Sequence, residues 1–168
     1  MGGKATTACS ALPLPSFRRD TARAMSRERA EAFAKVHRET LKAFSAGDFE
    51  TAFAAIATDV EWRLLPSLPD SGLLRGKDEV VRYFLGLRDL LASRVESKEF
   101  TDAGNGRFFA HLQGTAVGRA TDLTFTLDFF HVQERGADGL IARVYEYESR
   151  EQALEAAGLS EQDAHADS

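Results

Sequence analysis

Cysteine is almost missing from this chain of 168 residues. Cys9 stands alone, so no internal disulfide can staple the fold and no Cys-x-x-Cys motif can form. A single thiol offers no convincing Cys–His dyad either. With no disulfide to protect, the expected compartment is the cytoplasm. Long apolar runs are missing too. None approaches the roughly 18 residues that cross a bilayer, so no membrane partner is expected. The first residues lack the apolar core of a secretory signal. A basic surplus is also absent. The formal net charge is −5 and the pI about 5.4, which argues against a nucleic-acid surface. There is no Walker loop and no Gly-x-Ser-x-Gly elbow, and Gly104-Asn105-Gly106 reads as a turn, not a phosphate cradle.

What is present is apolar payload. Hydrophobic residues make up 43% of the chain and include twelve Phe, enough to build the core of one domain. Met1–Ser16 is rich in Gly, Ala, Thr, Ser and Pro and shows no period. Residues 1–25 are therefore expected to be a disordered arm, followed by a domain over 26–160 and a polar tail over 161–168. The arm has other readings. Met1-Gly2-Gly3-Lys4-Ala5-Thr6 fits an acylation pattern, Lys4, Arg18, Arg19 and Arg23 suit a transit peptide, and Met25 can serve as the start.

From Ser26, a good N-cap, Ala30, Phe33, Ala34, His37, Leu41 and Phe44 repeat at helical spacing up to Gly47. Asp48 caps a second helix, expected to end at Thr58-Asp59. Val60, Trp62 and Leu64 alternate as a strand. Pro66 and Pro69 open a loop, and a third helix starts near Lys77-Asp78. Strands follow over Val95–Asp102, Arg107–Gly118, Leu123–Glu134 and Leu140–Glu148, joined by short turns as an antiparallel meander. A short helix over Glu151–Ala157 stops at Gly158. Helices placed before a sheet make an α+β domain.

Several strings sharpen this: Ala46-Gly47-Asp48-Phe49, Asp59-Val60-Glu61-Trp62, Leu74-Arg75-Gly76-Lys77-Asp78-Glu79-Val80 and Gly139-Leu140-Ile141-Ala142-Arg143. In this order they resemble the SnoaL-like, polyketide-cyclase-like family of the nuclear transport factor 2-like superfamily, over about residues 28–160. The resemblance implies a cone-shaped, curved antiparallel sheet wrapped around a long N-terminal helix. It does not imply one activity, because this fold hosts cyclases, isomerases, epoxide hydrolases and ligand binders.

Asp128 is the first catalytic candidate. Alternation puts it on one strand face with Thr126, Phe130 and Val132, and a carboxylate among apolar groups can serve as a base near neutral pH. A three-residue loop over Ala120–Asp122 would set Asp128 opposite Gly114, where space is left for a ligand, and His111 opposite His131. That histidine pair lacks a third ligand, so no metal is expected. His37 on the first helix and a tyrosine, Tyr145 or else Tyr83 or Tyr147, are the candidates for polarising a carbonyl. Phe33, Trp62, Leu64, Phe84, Leu112, Phe130 and Val132 are the expected pocket walls. Glu61, Arg63 and Glu146 read equally as solvated strand residues. An Asp-Arg-Asp epoxide hydrolase could use Arg107, but it falls on the face opposite Asp128. The expected function is a cyclase or isomerase that handles a hydrophobic carbonyl compound without a cofactor. A non-catalytic carrier of a lipophilic molecule is the alternative. Phe125, Leu127 and Phe129 would form an apolar outer face for a homodimer, and Ala and Arg content suggests a bacterial genome.

Overall fold

The computed structural model describes residues 17–164, with side chains from Arg27 onward. The readings of Cys9 and of the Gly2 acylation pattern lie outside the described residues. Helix α1 (Phe17–Ser45) begins ahead of Ser26, because no Gly or Pro interrupts the chain between Phe17 and Ser45. It ends where Gly47 turns left-handed at φ 77°. There Asp48 N–H reaches Ala43 O at 2.9 Å and Gly47 N–H reaches Phe44 O at 3.0 Å, which satisfies carbonyls of the last turn.

Helix α2 (Phe49–Ala52) is capped by Asp48, whose carboxylate accepts from Thr51 N–H at 3.1 Å. It stops before Thr58-Asp59, because those residues belong to strand β1 (Ile56–Arg63). Strand β2 (Leu73–Arg75) lies in the expected loop and is too short to show alternation. Then come α3 (Lys77–Leu90), β3 (Leu91–Gly104), β4 (Arg107–Gly118), β5 (Thr124–Arg135), β6 (Ile141–Tyr147), α4 (Arg150–Ala157) and α5 (Glu161–Ala164). Ala164, expected in the tail, is buried. Among the described residues no helix is long and apolar enough to cross a membrane.

The six strands form one curved sheet in the order β2-β1-β6-β5-β4-β3. All neighbours are antiparallel except β1 and β6, which run parallel. The last strand therefore lies inside the sheet, between β1 and β5.

The β4–β5 hairpin closes through four residues, Arg119–Asp122, not three. Gly118 N–H meets Leu123 O at 2.9 Å and Asp122 takes a left-handed φ of 54°. The pairing therefore sits one residue from the expected register. Asp128 faces Gln113, Gly114 faces Leu127, His131 faces Ala110, and His111 faces Phe130. A Cβ on Gly114 would stand 3.3 Å from the Phe129 ring. The glycine makes room for that ring, not for a ligand beside Asp128.

Helices α1 and α3 cover one face of the sheet. Phe33 meets Phe108, His37 stacks on Phe100, and Phe84 meets Trp62. By alternation and register this inner face also holds Leu112, Phe129, His131, Gln133, Val144 and Glu146. Helix α4 covers the outer face over Phe109, Phe130, Val132, Tyr145 and Tyr147. Arg150 clamps it there, with Nη1 and Nη2 donating to Glu99 at 2.8 and 3.3 Å above the Phe109 ring. Arg150→Met should cost about 1–2 kcal/mol, since the pair is shielded and bidentate. An unchanged urea midpoint would rule this clamp out as a stabiliser.

Candidate functional site

Three adjacent strands bring polar groups together on the inner face. Glu146 of β6 is only 8% exposed. Its Oε1 accepts from Trp62 Nε1–H at 2.8 Å, and its Oε2 accepts from Leu65 N–H at 3.0 Å. Two N–H donors satisfy the buried carboxylate, one at each oxygen. His131 of β5 stands opposite, with Nε2 3.5 Å from Glu146 Oε1 and the Trp62 ring perpendicular to its own at 5.7 Å.

His37 enters from α1. Its ring is buried, stacks on Phe100 at 4.6 Å, and has no partner for Nε2. Burial chiefly, then the charges of His131, Arg135 and Arg38, push its pKa from 6.5 down to about 3. It is a neutral imidazole at physiological pH. The Tyr83 phenol is pushed up, by burial first and then by Glu146 and Asp70. Gln133 adds a buried Oε1 without a partner. Among the described residues no group of three His, Cys, Asp or Glu is placed to hold a metal.

A half-open cleft of about 710 Å³ lies where the ends of α1 and α3 meet β3 and β4. Phe44, Phe49, Phe84 and Leu87 supply apolar lining, and Arg88 and Arg119 polar lining. Phe84 also touches Trp62, with ring centroids 5.3 Å apart. The Trp62–Glu146–His131 group thus begins one aromatic ring behind the cleft.

The expected site is partly redistributed. His37 does share the inner face with Phe33, Trp62, Leu64, Phe84 and Leu112. Asp128 does not. Its carboxylate is on the outer face, its side chain 52% exposed, with His111 Nε2 at 2.8 Å and Gln113 Nε2 at 3.4 Å. Polar surroundings and water replace the apolar pocket expected for it. Tyr145, Phe130 and Val132 pack under α4 on that same outer side. His111 and His131 point to opposite faces, so they form no pair. Arg107 is engaged by Glu134 at 3.0 Å. Phe125, Leu127 and Phe129 share the inner face with His131, although Phe125 is 50% exposed beyond the helices. Sequence reasoning read Glu146 equally as a solvated strand residue and weighed His131 only as the partner of His111. The usable signal was that His131 lies on the face of β5 opposite to Asp128.

The family model described as a SnoaL-like domain matches residues 37–144. No curated protein matches the chain in sequence. Solved structures share its fold. A nuclear transport factor 2-like protein of unknown function from Burkholderia pseudomallei is 21% identical, with TM-score 0.60, covering 79% of this chain and 97% of that one. RV0760c from Mycobacterium tuberculosis, in complex with estradiol-17beta-hemisuccinate, is 17% identical, with TM-score 0.59 and coverage of 70% and 94%. A protein from Pseudomonas putida proposed to be a polyketide cyclase is 19% identical, with TM-score 0.57 and coverage of 71% and 93%. At these identities the likeness to solved structures shows the fold alone.

Proposed function

The chain belongs to the SnoaL-like domain family, and from that premise we propose that it is a cyclase- or isomerase-type enzyme acting on a hydrophobic carbonyl compound. The observation that carries this reading is the buried Glu146, held by two N–H donors beside His131, with a neutral His37 entering the same inner face from α1. Glu146 lies beside the His131 ring, its Oε1 3.5 Å from Nε2. His131 takes a proton from the carbon next to the carbonyl. His37, neutral and with a free ring nitrogen, donates a hydrogen bond to the oxygen that becomes negative. Return of the proton to another carbon isomerises the substrate; alternatively the enolate attacks a second carbonyl, closing a ring, and the alkoxide so formed takes the proton back from His131. Phe33, Trp62, Phe84 and Leu112 would hold the apolar body.

The test is exchange of α-protons for deuterium in a panel of polyketide and steroid ketones, followed by NMR. His131→Gln should lower exchange by about 10²–10⁴-fold while leaving the fold intact. Asp128→Asn should leave exchange unchanged. The reverse pattern would move the chemistry to the outer face and sink this assignment.

A carrier is the second reading, favoured by the steroid complex of RV0760c. A carrier would bind such ketones without exchanging their protons. We also propose a homodimer, in which exposed Leu90, Leu123 and Phe125 gather near the β4–β5 turn. A monomeric mass by light scattering would refute it.

A further inference from the structure

We propose that the inner face recognises a ligand carrying a carboxylate, held by Arg135 at the end of β5 beside His37. This extends the preceding reading only in naming a substituent of the bound molecule. The anionic subsite stands whether that molecule is turned over or carried.

The Arg135 guanidinium lies over Phe33 at 4.3 Å and Phe108 at 5.5 Å, so it projects among the inner-face aromatics. Its polar contact among the described residues is Nη1–H to Gly139 O at 2.9 Å. Its Nε is buried without a partner, and so is His37 Nε2. Arg29 sits over the Phe33 ring as well, at 5.4 Å. Among the described residues no carboxylate pairs with Arg135 or Arg29. By contrast Arg107 and Arg143 are engaged by Glu134 at 3.0 and 3.1 Å, and Arg150 by Glu99 at 2.8 Å.

A guanidinium cannot shed its proton at any ordinary pH, so Arg135 cannot escape its position by neutralising. A shielded cation without a counter-ion is costly, and an anion arriving from outside removes that cost. The planar fork selects a carboxylate, which it can meet with two parallel N–H bonds. Burial and the nearby Arg29 charge hold the Arg135 pKa below its usual value, as expected for a cation lacking its partner. Phe33, Phe100 and Phe108 provide an apolar wall for the rest of the ligand. From Phe33 to His37 the helix rises about 6 Å, which sets the spacing between the anionic group and a carbonyl at His37.

The experiment compares cyclohexanecarboxylate with cyclohexanecarboxamide by calorimetry, in low-chloride buffer, on the full chain. The wild type should favour the carboxylate at least tenfold. Arg135→Gln should erase the preference and keep amide binding. Arg135→Lys, which retains charge without the fork, covers the case in which the Gln variant fails to fold, and should keep only part of the preference. His131→Gln should keep all of it, so loss of the catalytic reading and loss of this one are told apart. Equal affinities in the wild type, or a full preference surviving in either Arg135 variant, would overturn the proposal.

Discussion

Glu146→Ala should destabilise the protein by about 3–5 kcal/mol and abolish any chemistry at His131. The substitution strands two buried donors at once, Trp62 Nε1–H and Leu65 N–H, which this carboxylate accepts. Each orphaned donor costs about 1–3 kcal/mol, and the vacated volume adds to that. Glu146→Gln is the sharper variant. An amide has one carbonyl oxygen and one NH2, so it can accept from only one of the two donors while pointing a third donor at the other. About 1–2 kcal/mol should be lost even though size is preserved. Urea unfolding measures both. Trp62 is the only tryptophan, so its emission reports the loss of the indole hydrogen bond in the same experiment. A cost below about 1 kcal/mol for the alanine variant would mean that water replaces the carboxylate, and that the inner face is not dry.

Acid should weaken the fold through His37. The imidazole has a pKa of about 3 in the folded chain and an ordinary 6.5 once unfolded. Between those values the unfolded chain takes up a proton that the folded chain refuses. The stability is present in full above pH 6.5 and is lost as pH falls through the window toward 3. The loss from this group reaches about 1.4 kcal/mol per pH unit, so pH 4.5 should cost roughly 2–3 kcal/mol relative to pH 7. His37→Phe removes the group and keeps an aromatic ring against Phe100. Its urea midpoint should fall less steeply with acid than that of the wild type. Parallel pH profiles for the two proteins would show that His37 is not the buried neutral ring described.

The order of elements was legible because caps and alternation are local. Asp48, Gly47 and Gly158 mark ends that the backbone uses. The α+β class and the nuclear transport factor 2-like fold follow from that order. Which face of β5 meets the helices was not legible. Phe130, His131, Val132 and Gln133 are all buried, so alternation along that stretch carries no inside or outside label. The choice is made at long range, where Phe33 packs on Phe108 and Phe84 on Trp62. It decides the fate of Asp128 and His131 together. The hairpin register depended on Asp122 adopting a left-handed backbone, which a non-glycine residue does not announce. The parallel pairing of β1 with β6 joins distant segments and leaves no local trace.

That pairing governs when the protein can mature. Trp62 and its acceptor Glu146 are 84 positions apart, and β6 must slot between β1 and β5 to bring them together. A chain still emerging from the ribosome holds β1 and β5 as two open edges until its last strand is free. Contacts of such separation form slowly, and open edges invite pairing with other chains. The keystone strand also carries the acceptor of the Trp62 indole. Burial of that single indole is therefore a clock for completion of the sheet, and chains cut before Ile141 should aggregate rather than fold to a smaller domain.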